Sequence, residues 1–108
     1  MILETKESGK FLVAKITPQE ANLDNAEKFR HEMFAIIDKG HKSIVINFEQ
    51  VTYVDSSFLG AMVASLKYAL SKGAEIFLTG LQKDIQNMLH LIRMDKVFKI
   101  YRGTEDIV

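Results

Sequence analysis

The strongest constraint on the fold of this chain is a repeated change between two hydrophobic periods. Short runs rich in β-branched and aromatic residues, which favour strands, alternate with segments whose apolar residues recur every three to four positions, as in amphipathic helices. Strands that alternate with helices favour a parallel sheet with right-handed crossovers. The sequence therefore predicts an α/β fold.

The chain opens with two strand-like runs, residues 3–8 and 11–17, separated by Gly9-Lys10. A two-residue link that contains glycine is typical of a β-hairpin, and Pro18 ends the second strand because proline has no N–H for the ladder. A hairpin is antiparallel, so the predicted sheet is mixed but mostly parallel. The full predicted order is β-β-α-β-α-β-α-β.

Helical spacing predicts helices over residues 24–39 and 56–72 and a third helix before a last strand at 97–101. The first helix is expected to bury Ala26, Phe29, Met33, Ile36 and Ile37. The second is expected to bury Leu59, Met62, Val63, Leu66 and Leu70. The third is marked by Leu81, Ile85, Met88, Leu89 and Ile92. Residues 43–48 form an apolar run without alternation, typical of a parallel strand buried on both faces beneath helices. The tail 103–108 is predicted as a frayed helical turn.

Composition narrows the classes of function. A length of 108 residues without repeat or linker predicts one domain over residues 1–108. The absence of cysteine excludes disulfides and thiolate chemistry. Fourteen basic residues balance fourteen acidic ones, which argues against nucleic-acid binding. Neither a signal-peptide pattern nor an apolar run of ~20 residues is found, so we expect a cytoplasmic protein that does not bind membranes.

The sequence lacks the usual signs of catalysis. Its six glycines are scattered, so no phosphate-binding loop is recognisable, and no Gly-x-Ser-x-Gly elbow occurs. His31, His41 and His90 lie on different predicted elements without metal-ligand spacing. We therefore expect no enzyme activity, no metal and no cofactor.

Residues 51–60, Val-Thr-Tyr-Val-Asp-Ser-Ser-Phe-Leu-Gly, join the buried strand to the second helix. Asp55 and Ser56 are both ordinary helix N-caps, and that structural role would account for either of them. Hydroxyls at a helix N-terminus also suit phosphorylation, because free N–H groups and the helix dipole accommodate a phosphate. The residues alone leave both roles open.

This segment resembles the STAS domains of bacterial anti-sigma-factor antagonists. The family hallmark is an apolar strand, a short link, and Asp-Ser-Ser/Thr-Gly-Leu-Gly at the start of a helix; residues 44–48 and 51–60 match these parts. The similarity covers nearly the whole chain, because four further parts follow the family's order: the hairpin, the helix entry at 23–27, Gly73-Ala74-Glu75-Ile76 and residues 89–100. The resemblance implies a single STAS domain.

In this family the unmodified antagonist binds an anti-sigma factor that is also a serine kinase, which frees a sigma factor. The kinase phosphorylates the serine after the motif aspartate, and a serine phosphatase reverses the reaction. The resemblance implies phosphorylation of Ser56, with Ser57 as the second choice, in a monomer or weak dimer. Asp55 would position the loop or help the hydroxyl meet the kinase, and Ser57 would share the partner surface.

The chain departs from the family pattern at two places. Phe58 stands where the family usually has glycine. Because it lies at the edge of the predicted inner stripe, we expect its ring to be partly exposed as an anchor for the partner; packing against a neighbouring loop is the alternative. The family's aspartate before the first helix, a kinase contact, corresponds to either Asn22 or Asp24.

Two other functions fit parts of the sequence. The domain could serve as a STAS scaffold or as a regulatory subunit of a signalling or transport assembly, an interpretation for which Phe58 is the main support. A response-regulator receiver also carries an aspartate after its third strand, near the place of Asp55. A receiver needs acidic residues after its first strand to hold Mg²⁺, and residues 11–17 contain none.

Overall fold

The structure, a computed structural model, describes residues 1–102. Its strands are β1 Leu3–Ser8, β2 Phe11–Ile16, β3 Glu20–Ala21, β4 Ser43–Asn47, β5 Tyr53–Val54, β6 Glu75–Thr79 and β7 Lys99–Tyr101. Five of them form one sheet in the order β1-β2-β4-β6-β7, and β3 and β5 form a second, small sheet. In the large sheet only the β1–β2 pair is antiparallel. The predicted mixed sheet with its opening hairpin is confirmed.

The helices are α1 Leu23–Asp38, α2 Ser56–Ser71 and α3 Lys83–Leu91, followed by a 3₁₀ turn at Met94–Lys96. From β2 onward each crossover moves in the same direction across the sheet, so right-handed connections put all three helices on one face. The predicted order of the long elements is confirmed. Two-residue β3 and β5 are additions to it, β7 is shorter than predicted, and the tail prediction for 103–108 lies outside the described residues.

α1 buries the predicted stripe. Its buried side chains are Ala26, Phe29, Met33, Ile36 and Ile37. They pack with residues of α2, α3 and the large sheet in one continuous core. Burying a large apolar side chain contributes about 1.5–3 kcal/mol, so this core is the main source of stability.

The opposite face of the sheet carries no helix in the described part of the chain. Val45 is fully buried there, in a cluster with Phe11, Phe77 and Val13 of the neighbouring strands. The rings of Phe11 and Phe77 meet edge to face with centroids 5.7 Å apart. The prediction that β4 is buried on both sides is confirmed, but helices cover only one side because the strand order never reverses.

α2 buries a different stripe from the predicted one. Its buried residues are Phe58, Ala61, Met62, Ser65, Leu66 and Ala69. Leu70, expected inside, is 63% exposed, and Leu59 and Val63 are half-buried. α2 packs against both α1 and β6, so two neighbours together select its inner face. The apolar residues of α2 surround most of the helix, and their spacing alone does not determine which side is buried.

Candidate functional site

The small sheet brings two helix N-termini together. β3 and β5 pair in parallel, with Glu20 opposite Tyr53 and Ala21 opposite Val54. β3 leads into α1 and β5 leads into α2, so both helices start at the same edge of the molecule. Sequence analysis missed this sheet, because a two-residue strand is too short to show a hydrophobic period.

Asp55 caps α2 and also accepts a hydrogen bond at the start of α1, an arrangement that we call the double cap. Its Oδ1 accepts a hydrogen bond from the N–H of Phe58 at 2.9 Å, which caps α2. Its Oδ2 accepts one from the N–H of Leu23 at 2.9 Å, at the start of α1. The N–H of Asp55 donates to the carbonyl of Ala21 at 3.0 Å. Of the two N-cap candidates, Asp55 is therefore the cap, and its carboxylate ties the two helices to each other.

Asn22 is the cap of α1 and lies beside Asp55 in the register of the small sheet. Its Oδ1 accepts from the N–H of Asp24 at 3.1 Å, and its amide donates to the carboxylate of Glu20 at 3.3 Å. Asp24 is exposed in the first turn of α1. The structure thus brings Asn22, Asp24 and Asp55 into one patch.

Ser56 is the first residue of α2 and is exposed, whereas Ser57 is half-buried. Within residues 1–102 neither hydroxyl makes a hydrogen bond, and both Asp55 oxygens accept from backbone N–H groups. The Ser56 hydroxyl is therefore presented to solvent from a fixed backbone. A group added to it would meet water rather than the core.

Phe58 is fully buried, and the expectation of an exposed docking ring is wrong. Its ring lies against that of Phe29, with centroids 4.6 Å apart. A helix turns by about 100° per residue, so Phe58 points about 200° away from Ser56. An exposed Ser56 therefore requires Phe58 to face the core, and this signal was present in the sequence.

Two exposed apolar side chains flank the serine. Leu23 is 69% exposed at the start of α1, and Tyr53 is 53% exposed just before Asp55. We call Leu23, Asp24, Tyr53, Asp55 and Ser56 the serine surface. Exposed apolar side chains that lie together favour a contact with another protein. Sequence analysis did not single out Leu23 or Tyr53.

The histidines do not form a shared site. Among residues 1–102 no group of three His, Cys, Asp or Glu side chains is arranged to hold a metal ion. His90 contacts Asp95 at 2.7 Å on the surface, and the hydrogen bond from His90 lowers the pKa of Asp95. In the same part of the chain, no helix is long and apolar enough to cross a membrane.

The profile of the STAS domain family matches residues 4–107. The chain belongs to this family. It is 31% identical over 84 residues to a Thermotoga maritima protein provisionally named as an anti-sigma factor antagonist, covering 77% of this chain and 74% of that one. It is 24% identical over 103 residues to the anti-sigma-B factor antagonist of Staphylococcus aureus, covering 95% and 94% of the two chains.

Solved structures give the same fold for this STAS domain. A Thermotoga maritima protein provisionally described as an anti-sigma factor antagonist superposes with a TM-score of 0.86 at 25% identity, covering 97% of this chain and 90% of that one. The phosphorylated form of the Bacillus cell fate determinant SpoIIAA superposes with a TM-score of 0.72 at 16% identity, covering 97% and 96%. The fold and family exclude the receiver interpretation.

The double cap of this STAS domain predicts a large effect at Asp55. We expect Asp55→Ala to lower the free energy of unfolding by about 2–4 kcal/mol, because two backbone N–H groups lose a charged acceptor. Asp55→Asn keeps one acceptor oxygen and should lose about half as much. Urea unfolding measures both, with Asp24→Ala as the control, expected to lose less than about 1 kcal/mol. Equal stability of Asp55→Ala and the unsubstituted protein would contradict the double cap.

Proposed function

We propose that this STAS domain is an anti-sigma-factor antagonist controlled by phosphorylation of Ser56. The main support is the Ser56 hydroxyl, which is exposed and free of hydrogen bonds on a helix start that Asp55 fixes. Relatives over most of the chain bear the name of anti-sigma factor antagonists. In this proposal the protein acts in the cytoplasm, carries no cofactor and catalyses no reaction of its own.

The unmodified domain binds an anti-sigma factor through the serine surface and so frees a sigma factor. The anti-sigma factor is also a serine kinase: Ser56 Oγ forms a bond to the γ-phosphorus of ATP, the hydroxyl proton leaves, and ADP is released. A serine phosphatase then hydrolyses the ester and restores the hydroxyl. Phosphorylation of the Bacillus relative SpoIIAA is consistent with such a cycle.

Exposure favours Ser56 over Ser57 as the modified residue. Ser56 faces solvent at the first position of α2, whereas Ser57 is half-buried and faces a groove beside α1. A kinase active site has to surround the reacting hydroxyl, and the more exposed Ser56 offers better access than Ser57. Asp24 belongs to the serine surface and Asn22 lies beside it, and one of the two corresponds to the family's kinase contact.

The function is tested with the purified serine-kinase anti-sigma factors encoded in the same genome. We expect one of them to bind the unmodified domain in calorimetry and, with ATP, to add one phosphate. Peptide mass spectrometry should find it on Ser56, and Ser57→Ala should be phosphorylated like the unsubstituted protein. If none of these proteins binds, the proposed function is wrong.

The scaffold interpretation loses its main support. It relied on Phe58 as an exposed anchor for a different partner, and Phe58 is buried against Phe29. The residue that departs from the family pattern therefore alters the core and leaves the serine surface in place.

A further inference from the structure

A groove runs between α1 and α2 and begins beside Ser57. Its volume is about 300 Å³, and it is open to solvent. It is lined by Leu23, Ala26, Glu27, Arg30, Ser57, Gly60 and Ala61. The groove is continuous with the serine surface, because Leu23 belongs to both and Ser57 follows Ser56 directly.

Gly60 lies within α2, where glycine is less favourable than alanine. Its surroundings give no reason for this choice: a Cβ atom built on Gly60 would meet no atom of the chain within 4 Å. The contrast is Gly80, where a Cβ would lie 3.1 Å from the backbone nitrogen of Glu49. The absence of a side chain at Gly60 therefore enlarges the solvent-filled space of the groove and leaves no cavity in the core.

The charges of the groove neutralise each other. Arg30 forms an ion pair with Glu27 one turn earlier on α1, and its guanidinium lies over the ring of Phe34 at 5.5 Å. The wall therefore has no unpaired charge to attract an ion. Exposed apolar surface comes mainly from Leu23 at the rim, which is 69% exposed, because Ala26 and Ala61 line the groove but are only 8% and 7% exposed.

We propose that this groove receives an apolar side chain of the anti-sigma factor, and that Gly60 permits the close approach of the partner's backbone. The proposal rests on the proposed function and adds a residue that determines how tightly the partner fits. Pockets for small molecules usually enclose about 300–1,000 Å³ and bury most of the ligand. This groove is at the lower limit and open, which suits one side chain inserted from a protein surface.

Two substitutions of Gly60 test the groove. Gly60→Ala should raise the melting temperature by about 4 °C, because alanine favours the helix and meets no neighbour. Gly60→Leu should fold as stably but fill the groove, so that binding of the anti-sigma factor weakens by about thirtyfold or more. The partner is the purified kinase that binds the unsubstituted domain, and calorimetry measures its Kd.

Lys67→Leu is the matched control. It adds the same side chain at an exposed position on the same face of α2, about 10 Å farther along the helix axis, and should change the Kd less than threefold. Unchanged binding by Gly60→Leu, with the unsubstituted domain bound, would overturn the groove proposal and leave the proposed function standing. If no purified kinase binds the unsubstituted domain, both proposals fail.

Discussion

Replacement of Phe58 by glycine is expected to remove about 4–6 kcal/mol of folding stability. Truncating a buried phenylalanine costs about 3–5 kcal/mol, because apolar surface is lost and a cavity remains. Glycine within a helix costs about 1 kcal/mol more. A domain of this size has about 5–15 kcal/mol in total, so the variant should be mostly unfolded or close to it. The STAS family usually has glycine at this position, yet here glycine would empty a space that the ring fills against Phe29.

Urea unfolding followed by circular dichroism measures this loss. Phe58→Leu keeps most of the volume and should lose only about 1–1.5 kcal/mol while it binds the anti-sigma factor normally, since the ring does not reach the surface. Leu70→Ala on the exposed side of α2 is the control, expected within about 0.5 kcal/mol of the unsubstituted protein. A Phe58→Gly variant that melts normally but fails to bind would restore Phe58 as a docking residue.

The two long helices differ in how far their sequences determine their packing. In α1 charged residues separate the apolar positions, and every member of the predicted stripe is buried. In α2 apolar residues cover most of the circumference, so Leu70 was expected inside and Ala69 is buried instead. The fold class follows from the alternation of periods, but the inner face of α2 is set by contacts with α1 and β6.

The exposure of Ser56 at the start of a helix was predictable from the sequence, but the hydrogen bonds that hold its backbone in place were not. A hydroxyl next to a capping aspartate at the start of a helix was visible in residues 51–60. The bond from the N–H of Leu23 to Asp55 spans 32 positions and depends on a sheet of two-residue strands. Neither this hydrogen bond nor the two short strands produces a hydrophobic period that could be recognised in the sequence. The predicted inner stripe of the second helix put Phe58 at its edge and suggested exposure, whereas the angle of about 200° between Ser56 and Phe58 on the helix favours burial of Phe58 when Ser56 is exposed.

Phosphorylation of Ser56 is expected to weaken binding of the anti-sigma factor by about a hundredfold while the fold stays intact. A phosphoserine adds a charge of about −1.5 to −2 and three acceptor oxygens. At the start of α2 the helix dipole favours this charge by roughly 0.3–1 kcal/mol. The nearby carboxylates of Asp55 and Asp24 oppose it by a comparable amount, screened by water, so the melting temperature should change little.

In the proposed complex the partner covers Ser56, and we expect the added charge to have a larger effect there. A surface shaped around a neutral hydroxyl would have to bury a dianion without a matching cation, at a cost of several kcal/mol. Each 1.4 kcal/mol is a factor of ten in affinity, so a loss of about two orders of magnitude follows. Calorimetry on the phosphorylated and unmodified domains measures this difference directly, and thermal melting of both checks the fold.

Three variants separate the charge from its position. Ser56→Ala should bind the anti-sigma factor normally and resist phosphorylation, whereas Ser56→Asp should bind weakly and melt near the unsubstituted protein. Ser71→Asp places the same charge at the exposed far end of α2 and should leave the Kd unchanged. If Ser56→Ala is still phosphorylated and the phosphate is found on Ser57, the modified residue is Ser57. If the phosphorylated domain binds as tightly as the unmodified one, the partner does not bury Ser56 and the serine does not act as a switch.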